Sequence, residues 1–207
     1  MNAISTTPGP AAAFAPSELR RSEEAGHYVP VATTWQVDPT HSHAEFAVRH
    51  LMISTVKGRF AEVTGTLTGD DTDPESASIE LTIPVAGIDT RENQRDAHLR
   101  SADFFEAETF PAIRFRSTRI TKAGAGTFTV TGDLTIRDVT KPITLTVESG
   151  GRGKDPWGGE RIGFGTSTRI NRKDYGLHWN QALETGGVLV GDEVKISVEL
   201  ELVKASN

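Results

Sequence analysis

His41, Ser42, His43 and His50 lie within ten consecutive residues, and these are the residue types from which metal sites and nucleophilic centres are built. On an extended strand, residues two apart share a face. His41 and His43 could therefore present two imidazole nitrogens to one ion, with His50 as a third. The opposing reading is that histidines at a strand entry tie down the Asp38-Pro39 turn by hydrogen bonding. It is favoured because no recognisable motif supplies further ligands nearby, so no metal is expected. Ser42 lies between two histidines, but the period of a strand turns its side chain away from both, and no Ser-His nucleophile pair forms. No catalytic residue is assigned. His43 and His50 are placed with Phe46 on an apolar face. There they act either as polar handles for a ligand's head group or as hydrogen-bonded core histidines.

A second concentration of chemistry-bearing residues is acidic: Asp89, Glu92, Asp96, Glu106 and Glu108. Paired carboxylates can do acid-base work, but helix caps and solvated surface explain these five better. Arg91, Arg95, His98 and Arg100 are interleaved with them and could meet an anionic head group, although ordinary surface charge is the plainer account. Gly150-Gly151-Arg152-Gly153-Lys154 and Trp157-Gly158-Gly159 fall between strand-like segments, not between a strand and a helix, so nucleotide binding has no footing and no cofactor is expected. Cysteine is absent, which removes thiol nucleophiles, disulfides and thiolate sites. A net charge of -6, with the acids spread along the chain, argues against nucleic acid or an anionic membrane as a partner.

From Thr33 onward the apolar residues recur with a period of two. Phe46, Val48 and His50 alternate with Glu45, Ala47 and Arg49, and Ile79, Leu81 and Ile83 with Ser78, Glu80 and Thr82. Ile113 and Phe115, then Phe128, Val130, Leu134 and Ile136, then Ile143, Leu145 and Val147 continue the pattern. Ile162, Phe164 and Ile170 follow, and finally Val194, Ile196, Val198, Leu200 and Leu202. Turn chemistry at Gly69-Asp70-Asp71, Lys122 to Gly126, Gly150 to Gly159 and Gly186-Gly187 separates the runs. The expectation is an all-β, eight-stranded antiparallel barrel with no exposed edges.

Residues 89–101 break the period. Asp89 stands three before Glu92 in capping-box spacing, and good helix formers follow as far as Ser101. A helix this polar cannot be a core element. It is expected to close one mouth of the barrel, with Phe104 and Phe105 pointing at the opening. Residues 1–30 hold four prolines and no long apolar run, and are expected to be a disordered tail before a domain spanning 31–205. Without a signal-like apolar region or a membrane span, a cytoplasmic location and no stable membrane insertion are expected, with any lipid contact inside the protein or transient at its surface.

The segments TWQVDPTHSHAEFAVRHLMISTVKGRF and HLRSADFFEAETFPAIRFRS together resemble the YceI-like family of lipocalin-like barrels. The shared positions are Trp35, Asp38, His41, Ser42, Phe46, His50, Gly58 and Phe60, then His98, Leu99, Phe104, Phe105, Pro111, Phe115 and Ser117. GDLTIRDVTKPITL and FGTSTRINRKDYGLHW are similar to the same family's C-terminal strands. The resemblance implies a barrel that sequesters a long apolar molecule, a polyisoprenoid or a fatty acyl or amide chain, and it suggests a homodimer. Alternation alone gives the barrel and leaves open whether its interior is hollow or filled. The expected ligand-binding residues are Phe46, Val48, His50, Phe60, Ile79, Leu81, Ile83, Phe104, Phe105, Phe115, Phe128 and Phe164. The expected function is to bind or carry such a ligand without covalent chemistry. The alternatives are an enzyme acting on an isoprenoid or quinone-like substrate with His43 or His50 as base, and a solid structural barrel.

Overall fold

The computed structural model describes residues 32–183 and 187–205. The expected tail, residues 1–30, lies outside them. Eleven strand segments form one antiparallel sheet that closes on itself: Thr33–Val37 (β1), His43–His50 (β2), Ser54–Phe60 (β3), Thr64–Asp70 (β4), Asp73–Pro84 (β5), Ile88–Asp89 (β6), Ala112–Gly124 (β7), Thr127–Ile136 (β8), Val139–Lys154 (β9), Glu160–Asn171 (β10) and Val190–Lys204 (β11). β1 with β2, β3 with β4, and β5 with β6 are each one long strand broken by a kink, so the architecture is a closed eight-stranded barrel. Closure runs through β11. It pairs with β2 at Ile196 opposite Phe46, and with β1 at Lys204 opposite Trp35.

The kink between β1 and β2 follows from Asp38-Pro39-Thr40, because proline has no N–H to give a ladder. Ser42 fills the gap. Its hydroxyl donates to the Glu201 carbonyl at 3.2 Å and accepts the Glu201 N–H at 3.1 Å, so β11 loses no hydrogen bond as its partner bends.

Strand β8 shows most plainly how the sequence folds the wall. Phe128, Val130, Leu134 and Ile136 point inward and are at most 6% exposed, while the alternating threonines face out. Each such burial is worth roughly 1.5–3 kcal/mol. Gly132 sits in the same inward row, and a Cβ there would lie 2.5 Å from the Phe115 ring. Gly58 likewise faces the Phe46 ring, 2.3 Å from where its Cβ would be. At both places glycine lets an aromatic ring lie flat across the sheet.

Two local expectations are corrected. The helix is Asn93–Arg100 (α1), and its cap is Glu92, whose carboxylate accepts the N–H groups of Gln94 and Arg95. Asp89 belongs to β6 and accepts from Arg91 N–H and Arg59, because the chain is still extended there. The glycines at 150, 151 and 153 do not form a turn either. β9 continues through them to Lys154, with a bulge opposite Gly163 and Phe164, and the chain reverses at 155–159.

Candidate functional site

The inward residues of β8 are buried, and so are Ile162, Leu200 and Leu202 at the lower ends of β10 and β11, but many inward residues of β5, β9, β10 and β11 are not. Ile79, Leu81, Ile83, Ile143, Leu145, Val147, Phe164, Ile170, Val194, Ile196 and Val198 all face the interior and remain only partly buried. Apolar side chains that point inward yet stay accessible must border an empty space. That space is a cavity of about 290 Å³ running along the barrel. Phe46, Val48, Phe60, Ile79, Leu81, Ile83, Phe104, Phe105, Phe115, Phe128 and Phe164 line it.

His50 does not line it. It ends β2 at the rim, opposite Ser54 and Val190. His43 is exposed on the outer surface, since it alternates with Ala44 and Phe46 and therefore stands on the opposite face. Among the described residues no histidine borders the lumen, so neither expected handle nor base is in place. His41 is also exposed, and its Nδ1 lies 2.9 Å from Asp38 Oδ2, fastening the turn. Asp38, His41 and Glu201 have ligand atoms within 4.8 Å of one another. Arg161 already occupies that corner, donating to Asp38 at 2.8 Å, to Asp155 at 3.1 Å and to Glu201. The Thr40 hydroxyl, Arg161 and His41 hold the Asp38 carboxyl well below the usual range. The Gly159 N–H, helped by Arg161, lowers the Asp155 carboxyl's pKa. The cluster is a latch across the barrel's lower rim.

Trp35 stops the lower end of the lumen and is 2% exposed. The Arg152 guanidinium lies 5.1 Å from its ring centroid, and Lys204 Nζ lies 6.0 Å away. Arg152 pairs with Asp71 at 3.2 Å and with Glu160, and Lys204 reaches Glu160 at 3.3 Å. Arg152, with Lys204, draws the Glu160 carboxyl below its ordinary value. The sequence does not show this closure, because Arg152 falls among glycines that suggest a turn, and Asp71 and Trp35 are distant in the chain and meet it only when the barrel closes.

The upper end is closed by α1 and residues 101–111, 172–183 and 187–189. The basic residues of α1 hold this cap in place. Arg95 donates to the Thr90 hydroxyl and carbonyl, Arg100 to the carbonyls of Ala86 and Ile88, and His98 Nε2 lies 2.8 Å from Asp103. Asp96, buried, accepts from the Thr90 N–H and hydroxyl. Phe104 packs at 5.3 Å from Trp179 and 5.1 Å from His98, while Phe105 meets Phe60 edge-on at 6.2 Å. Arg172, 5% exposed, donates to the carbonyls of Gly191, Leu177 and Trp179 and binds the last loop to β11. Burial lowers its pKa, and the carbonyls take the place of the lost water.

The lumen's wall carries few polar groups. Thr166 and Thr168 share parity with Phe164 and Ile170 and so face inward, although threonine on these strands otherwise marks the outer face. The Thr166 hydroxyl donates to the Thr146 carbonyl at 2.7 Å. Such a wall can hold a hydrocarbon chain, and among the described residues it offers no paired nucleophile and base. Among the described residues no helix is long and apolar enough to cross a membrane.

The YceI-like domain matches residues 35–202. A UPF0312 protein of Photorhabdus laumondii is 42% identical over 147 residues, which cover 70% of this chain and 76% of that one. The YceI protein of Campylobacter jejuni, whose crystal structure is known, superposes with a TM-score of 0.65 at 32% identity, covering 76% of this chain and 90% of that one. A polyisoprenoid-binding domain from Saccharophagus degradans shares the fold with a TM-score of 0.62 at 16% identity, over 83% of this chain and 98% of the other. With its sequence, its closed barrel and its hollow interior in agreement, the chain belongs to the YceI-like family.

Proposed function

We propose that the barrel binds and carries one long apolar chain, of polyisoprenoid or fatty acyl or amide type, and performs no covalent chemistry on it. The observation that carries this reading is the half-buried state of Ile79, Leu81 and Ile83 on β5, Ile143, Leu145 and Val147 on β9, Ile170 on β10 and Val194, Ile196 and Val198 on β11 around a cavity of about 290 Å³. A filled barrel would bury them as fully as β8 is buried. Burying each methylene of a guest contributes roughly 0.8 kcal/mol before ordering costs, so a hydrocarbon chain is strongly preferred to a polar metabolite. The polyisoprenoid-binding relative in fold is consistent with this choice of ligand. The enzymatic alternative lacks its base, since His43 is outside and His50 is at the rim. Titration with a dansyl-labelled farnesol should give saturable fluorescence enhancement at about one site per barrel, competed by unlabelled isoprenoid alcohol and not by a short polar alcohol. No saturation, or equal competition by the polar alcohol, overturns the reading.

A further inference from the structure

We propose that the tip of the β2–β3 hairpin docks the barrel transiently on an anionic lipid bilayer, so that the ligand passes between membrane and lumen without crossing water. The inference rests on the function just proposed.

The tip is Leu51, Met52 and Ile53. Met52 is 57% and Ile53 80% exposed, with Val188, 36% exposed, on the neighbouring loop, where the Leu51 N–H donates to the Leu189 carbonyl at 2.8 Å. Single exposed apolar residues need no explanation. These do, because Leu51 and Met52 have φ of +51° and +58°. A hairpin turn of this hand ordinarily takes Asn-Gly, since a Cβ crowds the backbone there. Apolar side chains are thus held in a disfavoured conformation and then left in solvent. Below the tip the inward row of β2 passes from His50 at the rim to Val48, which lines the lumen with Val190, so the tip stands at the mouth of the cavity.

Charge identifies the occupant. On the outer face behind the tip, Lys57 and Lys195 stand on either side of Ala47, and Arg49 is the next outward residue toward the turn. Among the described residues none of the three forms an ion pair with a carboxylate. Arg49 donates to the Met52 carbonyl at 2.6 Å and to the Thr55 hydroxyl at 3.2 Å, which keeps its charge beside the turn. The net charge of -6 argues against an anionic partner for the molecule as a whole. The fold gathers an unpaired cationic patch behind an apolar tip nonetheless, which is the complement of an anionic bilayer surface. The ligand's chemistry requires such contact. Each buried methylene slows escape into water by about fourfold, and about ten of them by roughly a millionfold.

The test is transfer of dansyl-farnesol from the loaded protein to vesicles of phosphatidylglycerol or of phosphatidylcholine. The rate should rise with vesicle concentration, be faster to phosphatidylglycerol, and fall with added salt. Met52→Gly combined with Ile53→Ser should melt at or above the parent temperature, because glycine suits the positive φ, and should keep the probe as tightly while transferring it about tenfold more slowly. Lys57→Glu combined with Lys195→Glu should abolish the preference for phosphatidylglycerol. Rates independent of vesicle concentration, or unchanged in both variants, overturn the proposal. So does a change of oligomeric state in the Met52→Gly, Ile53→Ser variant, which would assign the tip to a second copy of this chain. Co-sedimentation of unloaded protein with the same vesicles reads docking without the ligand. Failure to retain the probe therefore counts against the lumen's function, and failure to sediment counts against the docking tip.

Discussion

At the scale of single residues, parity decides what each side chain can do. Phe115 is 9% exposed against the lumen, whereas Arg114 beside it is exposed on the outer face. Phe115→Asp should strand a carboxylate in an apolar wall, cost about 3 kcal/mol or more, and abolish retention of a dansyl-farnesol probe. Arg114→Ala should change stability by less than about 0.5 kcal/mol and leave retention intact. Equal effects in thermal melts and probe binding would mean the register is wrong. That parity was legible in the sequence for the strand residues expected to line the lumen, whereas Phe104 and Phe105 reach it from the cap and His50, of the same parity as Phe46, ends β2 at the rim. His43 was misplaced because it stands an odd number of positions from Phe46. The latch around Arg161 was illegible for another reason: Asp38, Asp155 and Glu201 meet only once the barrel closes. Asp38, Asp155 and Glu160 all have folded pKa values below those of the unfolded chain. The unfolded chain therefore binds more protons in acid. Stability should be flat in pH above about 4.5 and fall as pH drops from there toward the folded values. In melts from pH 7 to pH 3, Asp38→Ala should begin less stable and lose less.

At the scale of elements, the cap over the upper mouth combines a core anchor and a cover. Phe104 is 7% exposed and packs against Trp179 and His98, while Phe105 is only partly buried on Phe60. Phe104→Ala should cost about 3 kcal/mol in a denaturant melt. Phe105→Ala should cost less and should speed release of dansyl-farnesol more than it changes which lipids compete. If the two substitutions give the same melts and the same release rates, the division between anchor and cover fails. The helix was visible in the sequence as a break in the period of two, but its cap was not. Asp89 and Glu92 stand at the two ends of one capping-box spacing, and the pairing of Asp89 with Arg59 and of Ile88 with Phe60 shows that the chain is still a strand at Asp89. Of the kinks that split three strands, Asp38-Pro39 marks the first in the sequence, whereas those between β3 and β4 and between β5 and β6 emerge only from the pairing.

At the scale of the whole molecule, a hollow barrel gives up the packing that a filled one would have, and a guest restores it. Ligand occupancy should accordingly raise the thermal midpoint by linkage, about 2.7 kcal/mol of added stability at a hundredfold excess over Kd. We further propose that residues 1–30 add nothing to this balance, because their composition offers no core-forming pattern. Their deletion should leave the midpoint unchanged, and a drop would show that they pack on the barrel. Closure and alternation were readable from the sequence, whereas the emptiness of the interior was not, since it depends on how far eight strands stand apart. The proposed function stands or falls on a hydrocarbon chain in the lumen. The most direct measurement is organic extraction of protein purified without added lipid, followed by mass spectrometry, on the parent and on Phe46→Asp. The parent should yield an intact long-chain apolar molecule, about one per barrel, that is missing from Phe46→Asp while that variant remains folded. A folded parent protein that yields no such molecule and takes none up when it is offered would contradict the proposed function.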